Sequence, residues 1–210
     1  MDINNLVRRL DNSRAVDMAL PDAGRYFVAL DLPRSAVDSL GAAQEGLRES
    51  LTDGARVKWV RPENLHLTLK FLGDHIAREA AEAVIEALRG AAAGLSAFEV
   101  EVVGLGAFPS SRKARVLWVG VSDPEGRLAE LHRAVEDALN PLGFDSSDFH
   151  AHITLGRVRD RKARPDLTGL LDPMSEKRFG GIVVRRVTLY RSTLTPQGPQ
   201  YEDIAECTLR

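Results

Sequence analysis

Two short segments carry the same pattern of reactive side chains, His66-Leu67-Thr68-Leu69 and His152-Ile153-Thr154-Leu155. Residues two apart on a β-strand share a face, so each segment buries its aliphatics and presents its histidine beside its threonine. Two such strands facing one cleft supply two imidazoles and two hydroxyls. With an ordinary pKa of about 6.5, one imidazole can take a proton from water while the other, protonated, donates to a leaving alkoxide. Hydrolysis of a cyclic phosphodiester needs that pair on opposite sides of phosphorus. Threonine hydroxyls can donate to the non-bridging oxygens, and a nearby arginine such as Arg157 can offset the developing negative charge. The scheme requires no metal, and no cofactor is expected.

Positioning these groups takes a β-rich scaffold. Tyr26 to Leu30 read as a buried strand, and Pro33-Arg34-Ser35 opens a helix through Val37, Leu40, Leu47 and Leu51. A short strand over 57–60 and a turn at Pro62-Glu63-Asn64 lead into the first His-Thr strand, which should end at Gly73-Asp74. Ala81, Val84, Ile85, Leu88 and Ala92 predict a helix closed by Gly94. Strands near 97–104 and 114–121 follow, and Leu128, Leu131, Val135 and Leu139 predict a second helix before the second His-Thr strand. One strand over 182–195 and another over 201–209 complete the chain, linked by Pro196-Gln197-Gly198-Pro199.

A helix precedes a His-Thr strand in both halves, which suggests a duplicated unit. Sequential strands with few helices favour an α+β fold of two lobes around a cleft over a doubly wound sheet. Residues 1–24 lack sustained periodicity and read as a loosely docked extension, with the domain proper over 25–210.

The chain has 210 residues, of which 44% are apolar and 28% charged, enough for one sizeable domain. Its single cysteine, Cys207, excludes an internal disulfide and fits a cytoplasmic setting. No run of about 18 apolar residues is present, so a soluble protein without membrane contact is expected. A formal charge of −2 gives no global attraction for nucleic acid. Any RNA contact must be local, and two basic groups offer it: Arg157, Arg159, Arg161, Lys162 and Arg164, and the smaller set Arg112, Lys113 and Arg115. Of these, Arg115 is kept as a candidate substrate contact. Phe27, Trp59 and Trp118 could stack on a base. Phe27 is the preferred groove candidate and Tyr201 a weaker one.

The stretch 57–73, from Val57 to Gly73, together with His152-Ile153-Thr154-Leu155-Gly156-Arg157, resembles the two-histidine phosphoesterase superfamily. Within it the similarity is to the RNA 2′,3′-cyclic phosphodiesterase group, historically called 2′-5′ RNA ligases. Supporting matches run from Arg25 to Leu30, Arg115 to Val121, Tyr190 to Leu194 and Gly198 to Tyr201, so the resemblance spans about residues 25–209. It implies a bilobal α+β fold with pseudo-twofold symmetry, helices outside mainly antiparallel sheet, and both motif strands lining a central groove. By the same resemblance, His66 is the acid that protonates the leaving 3′-oxygen and His152 the base that activates water. Thr68 and Thr154 would hold the phosphate oxygens, with Arg157 assisting. The implied partner is RNA bearing a 2′,3′-cyclic phosphate, tRNA fragments included, and a monomer is expected. Some members also join tRNA halves through a 2′-5′ bond, an RNA 5′-hydroxyl replacing water.

This chain departs from the family in having Ala151 where proline commonly precedes the second motif histidine, with His150 one residue earlier. Protonated at the site, His150 would lower the pKa of His152; carried off by strand twist, it would stand at the rim. His66 with the 150/152 pair could also hold zinc, but the threonines have no part in such a site. His75 and His132 read as surface or packing residues. Two other readings stay open: a non-catalytic module that holds RNA ends, and a phosphodiesterase for small cyclic phosphates such as ADP-ribose 1″,2″-cyclic phosphate.

Overall fold

The computed structural model describes residues 23–51, 56–159 and 165–210. Among these, nine strands and four helices follow one another as β1 (Ala23–Asp31), α1 (Arg34–Ser50), β2 (Val57–Trp59), β3 (His66–Ala77), α2 (Arg78–Ala93), β4 (Phe98–Phe108), β5 (Val116–Ser122), α3 (Arg127–Leu139), β6 (His152–Val158), α4 (Thr168–Leu171), β7 (Arg178–Val184), β8 (Arg186–Thr195) and β9 (Gly198–Thr208). All their strand pairings are antiparallel, in the order β7-β4-β5-β6-β3-β1-β8-β9, with β2 added beside β6. The two central strands are the two His-Thr strands. They meet at the pair Leu67–Ile153, and outward from this seam β5 matches β1, β4 matches β8 and β7 matches β9. Two four-stranded lobes therefore share a pseudo-twofold axis, as expected for the α+β, bilobal arrangement.

Helices cover the outside. α1 carries Ala36, Leu40, Gln44 and Leu47 on its buried face, and α2 presents Ala81, Val84, Leu88 and Ala92. α2 and α3 pack on each other and on the lobe of β3, β8 and β9, whereas α1 crosses to β7 of the opposite lobe. The polar member of the α1 face is put to use: Gln44 Nε2 donates to Val60 O (2.9 Å) and to Leu155 O (2.8 Å). A helix from one half of the chain thereby holds a motif strand of the other. At the start of α3, the Asp123 carboxylate accepts from the backbone N–H groups of Arg127, Leu128 and Ala129, satisfying three otherwise open donors.

Three boundaries differ from expectation. β3 does not stop at Gly73; the glycine takes φ +138° and the strand goes on to pair Ile76 with Gly24 and Ala77 with Ala23. Ala23 and Gly24, assigned to the extension, thus belong to β1, and residues 1–22 lie outside the described residues. The single strand expected over 182–195 is two, β7 and β8, because the chain changes lobe at Arg185. No helix among the described residues is long and apolar enough to cross a membrane. Cys207 is buried in β9, where burial pushes its thiol up to about 11.

Candidate active site

A groove of about 240 Å³ opens over the seam between β3 and β6, and its lining includes His66, Thr68, His152, Thr154 and Arg157. Leu67, Leu69, Ile153 and Leu155 point the other way and are buried. Because the strands run antiparallel with Leu67 opposite Ile153, His66 stands across from Thr154 and Thr68 across from His152. The histidines occupy diagonal corners of a four-residue patch. On a regular ladder that diagonal is about 7–8 Å, room for a phosphate with one imidazole on each side.

Both rings are oriented by the same device. His66 Nδ1 lies 2.8 Å from Asn64 O, and His152 Nδ1 lies 2.6 Å from His150 O. A carbonyl only accepts, so each Nδ1 carries the hydrogen and each Nε2 remains for chemistry. Aromatic rings back both imidazoles. Phe27 lies 4.9 Å from His66 and stacks on Tyr190 at 5.1 Å, and Tyr201 meets His66 edge-on at 5.3 Å. Phe108 meets His152 edge-on at 5.0 Å.

Arg157 reaches the groove through a strand irregularity. Regular alternation from His152 would turn position 157 towards the core. Between Leu117 and Trp118 the β5–β6 register slips, Trp118 pairing with Thr154 and Leu117 with Gly156. Leu155 is the extra residue, and this bulge returns Arg157 to the face of His152 and Thr154. β3 has the same slip at Leu69, with Ala29 opposite Thr68 and Val28 opposite Lys70. It turns the exposed Phe71 to the groove face.

Several residues fall elsewhere than expected. Phe27, the preferred stacking candidate, is 5% exposed behind His66 and does not line the groove; Tyr201 does. β1 is an inner strand covered by the rings of β8 and β9, which leaves Phe27 as a support. Arg115 is exposed just before β5, its backbone bonded to Phe108 and Val158, and is also outside the groove lining. Trp59 lines the groove. Arg161, Lys162 and Arg164 lie outside the described residues. His150 is exposed at the rim, yet its ring lies only 6.1 Å from that of His152. His132 is a packing residue on the buried face of α3.

Sequence reasoning missed Lys58, Arg61, Asn64, Gln197 and Pro199 as groove residues. Asn64 Nδ2 donates to Pro199 O (2.9 Å) and Arg61 Nη2 to Gln197 O (3.1 Å), which docks the β8–β9 turn beside His66. The signal available was a short polar turn immediately before a motif histidine.

Asp31 was missed as well. It pairs across from His66 on β1, and its carboxylate accepts from Arg186 Nε (2.8 Å), Thr188 Oγ1 (3.1 Å) and the Tyr190 hydroxyl. Burial, then the Asp31 contact, pushes the Tyr190 phenol up and keeps it a donor. The matching position across from His152 is Gly120. Burial lowers the pKa of both catalytic candidates. For His66 it is opposed by the Asn64 carbonyl and then by the Asp31 charge, and reinforced by His152 and Arg157; for His152 it is opposed by the His150 carbonyl and reinforced by the His150 ring and Arg157.

The profile of the family described as LigT like phosphoesterase matches residues 30–118 and 119–201, one His-Thr pair in each stretch. The chain belongs to the LigT-like phosphoesterases. An RNA 2′,3′-cyclic phosphodiesterase of Methanothermobacter thermautotrophicus is 36% identical, the alignment covering 86% of this chain and 96% of the relative. Another, from Archaeoglobus fulgidus, is 37% identical over 86% and 97% of the two chains. A crystal structure of a Thermus thermophilus protein superposes with a TM-score of 0.72 at 28% identity, over 89% of this chain and 98% of that one. Membership makes this LigT-like chain a phosphoesterase and gives its two motif strands a common enzymatic setting.

Proposed function

We propose that this protein hydrolyses RNA 2′,3′-cyclic phosphate ends to 2′-phosphates by acid–base catalysis between His66 and His152. The observation that carries the reading is the diagonal pair of imidazoles, each fixed through Nδ1 and flanked by a threonine in one groove. His152 Nε2 takes a proton from water as the water oxygen bonds to phosphorus. The bond from phosphorus to the 3′-oxygen breaks on the far side, and His66 Nε2 supplies the proton that oxygen needs. Thr68, Thr154 and Arg157 hold the non-bridging oxygens and offset their growing charge. Ligation of two RNA ends would use the same groups, a 5′-hydroxyl replacing water. The names of the relatives at 36% and 37% identity support this substrate.

The direction of proton flow is supported by what breaks the twofold symmetry. A carboxylate, Asp31, faces His66 and favours its cation; at the equivalent place beside His152 there is Gly120, with the His150 imidazole nearby. These neighbours suit His66 to hold the proton and His152 to lack it. Because burial lowers both histidines, kcat/KM should trace a bell with its maximum below about pH 6.5. Activity falls with rising pH as His66 loses its proton and with falling pH as His152 gains one. Asp31→Asn should move the alkaline limb to lower pH, and His150→Asn the acid limb to higher pH. Each variant therefore narrows the bell from its own side. pH–rate profiles check this, and shifts on the opposite limbs would exchange the roles of the two histidines.

A further inference from the structure

We infer that the exposed face of β2 and β6 beyond the groove is a track for the phosphates of an RNA strand leading to its cyclic end. The inference rests on the reading of the groove as the seat of a cyclic phosphate. β2 and β6 pair Lys58 with Arg157, and Arg159 N–H donates to Arg56 O at 2.7 Å, which sets Arg56 beside Arg159. Paired residues share a face, and so do residues two apart on one strand. Arg56, Lys58, Arg157 and Arg159 therefore form one basic block, and all four are exposed.

The bulge at Leu155 that brings Arg157 to the groove brings Arg159 along the same face. Lys58 and Arg157 already line the groove. Arg56 and Arg159 continue the line by one two-residue step, about 6.6 Å, close to the step between successive phosphates of an extended strand. Neither 56–61 nor 152–159 contains an aspartate or glutamate. In a chain of net charge −2, this concentration of cations is local and contiguous with the catalytic patch.

A chain ending in a 2′,3′-cyclic phosphate leaves the site in one direction only, through its upstream phosphates, whereas a cyclic mononucleotide has none to offer. The track thus selects RNA strands over small cyclic nucleotides and acts through binding, with no part in the proton transfers. An acidic protein segment would meet the same charges, and the two are separable by experiment.

The test uses Arg56→Gln/Arg159→Gln, which leaves the groove lining intact, beside Arg89→Gln/Arg133→Gln, an equal charge loss on the exposed faces of α2 and α3. Binding of a short single-stranded RNA ending in a 3′-phosphate is measured across a salt series, and kcat/KM is measured on that RNA with a 2′,3′-cyclic end and on 2′,3′-cyclic CMP. Removing two cations that each neutralise a phosphate should make the log–log salt slope shallower by about 1.4 and lower affinity on the order of tenfold at 0.1 M salt. kcat/KM on the RNA should fall in step, while 2′,3′-cyclic CMP stays within about twofold. Unchanged RNA binding overturns the track, and so does an equal loss in the control variant or on the mononucleotide. Wild-type protein that binds the RNA through these arginines but opens neither substrate would overturn the proposed reaction and leave the track standing.

Discussion

His66→Ala and His152→Ala are each expected to lower kcat/KM on a 2′,3′-cyclic phosphate by about 10²–10⁴, the usual contribution of one general acid or base. Both rings are half-buried at the groove, and each is tied to its own strand's preceding segment through Nδ1. Truncation removes the ring without cutting a backbone bond, so folding should survive. The double variant should lose little more than the worse single one, since an acid and a base that serve one transition state act as a unit. A leaving group of low pKa provides a sharper reading: it needs no acid, so it should rescue His66→Ala and leave His152→Ala impaired. Steady-state kinetics on a 2′,3′-cyclic nucleotide and an activated phosphodiester measure both effects. Rescue of His152→Ala alone would reverse the roles.

Lys70→Ala is expected to destabilise the protein by about 3–5 kcal/mol, the cost of leaving one partner of a buried ion pair without the other. Lys70 is 3% exposed and Glu136 6%, in the seam between β3 and α3. Lys70 Nζ donates to Glu136 Oε2 and to Asp145 O, both at 2.7 Å, and Ser147 Oγ donates to Glu136 Oε1 at 3.0 Å. Burial alone would raise the Glu136 pKa; the Lys70 and Ser147 hydrogen bonds and the Lys70 charge outweigh it and hold the carboxyl below its ordinary range. His132 stacks on Phe149 at 4.2 Å, its Nε2 3.2 Å from Glu136 Oε1 but too poorly aligned for a hydrogen bond. The cluster thereby pins the segment 145–149, which delivers His152 to the groove. A Tm lower by on the order of 10 °C is expected for a chain of this length. Lys70→Met/Glu136→Leu should recover much of it, because removing both partners leaves no buried charge without its counter-ion. Thermal and urea unfolding decide the matter, and a single-variant loss under about 1 kcal/mol would show the pair to be dispensable.

The motif strands were legible because their alternation is strict: His66 and Thr68 face the groove while Leu67 and Leu69 are buried, and β6 repeats the pattern. α2 and α3 were legible for the same reason, a periodicity that burial then confirms. Arg157 is a different matter. Its place on the groove face depends on the bulge at Leu155, which looks like an ordinary strand leucine; the local cue beside it is Gly156, an isolated glycine in a strand run. The change of lobe at Arg185 was hidden likewise, in a run of residues all suited to strands. Phe27 and Tyr201 could not be ranked from sequence because the choice turns on which strand covers the other, a property of sheet order. Asp31 escaped notice because its meaning comes from standing opposite His66, a pairing between residues far apart in the chain.

The most direct test of the central claim is to follow, by phosphorus NMR with a chelator present, the hydrolysis of a short RNA ending in a 2′,3′-cyclic phosphate. Turnover yielding only the 2′-phosphate is expected if His66 is the proposed acid for the 3′-oxygen. Accumulation of 3′-phosphate, or no turnover by the folded wild-type protein, would contradict the assignment of His66 and His152.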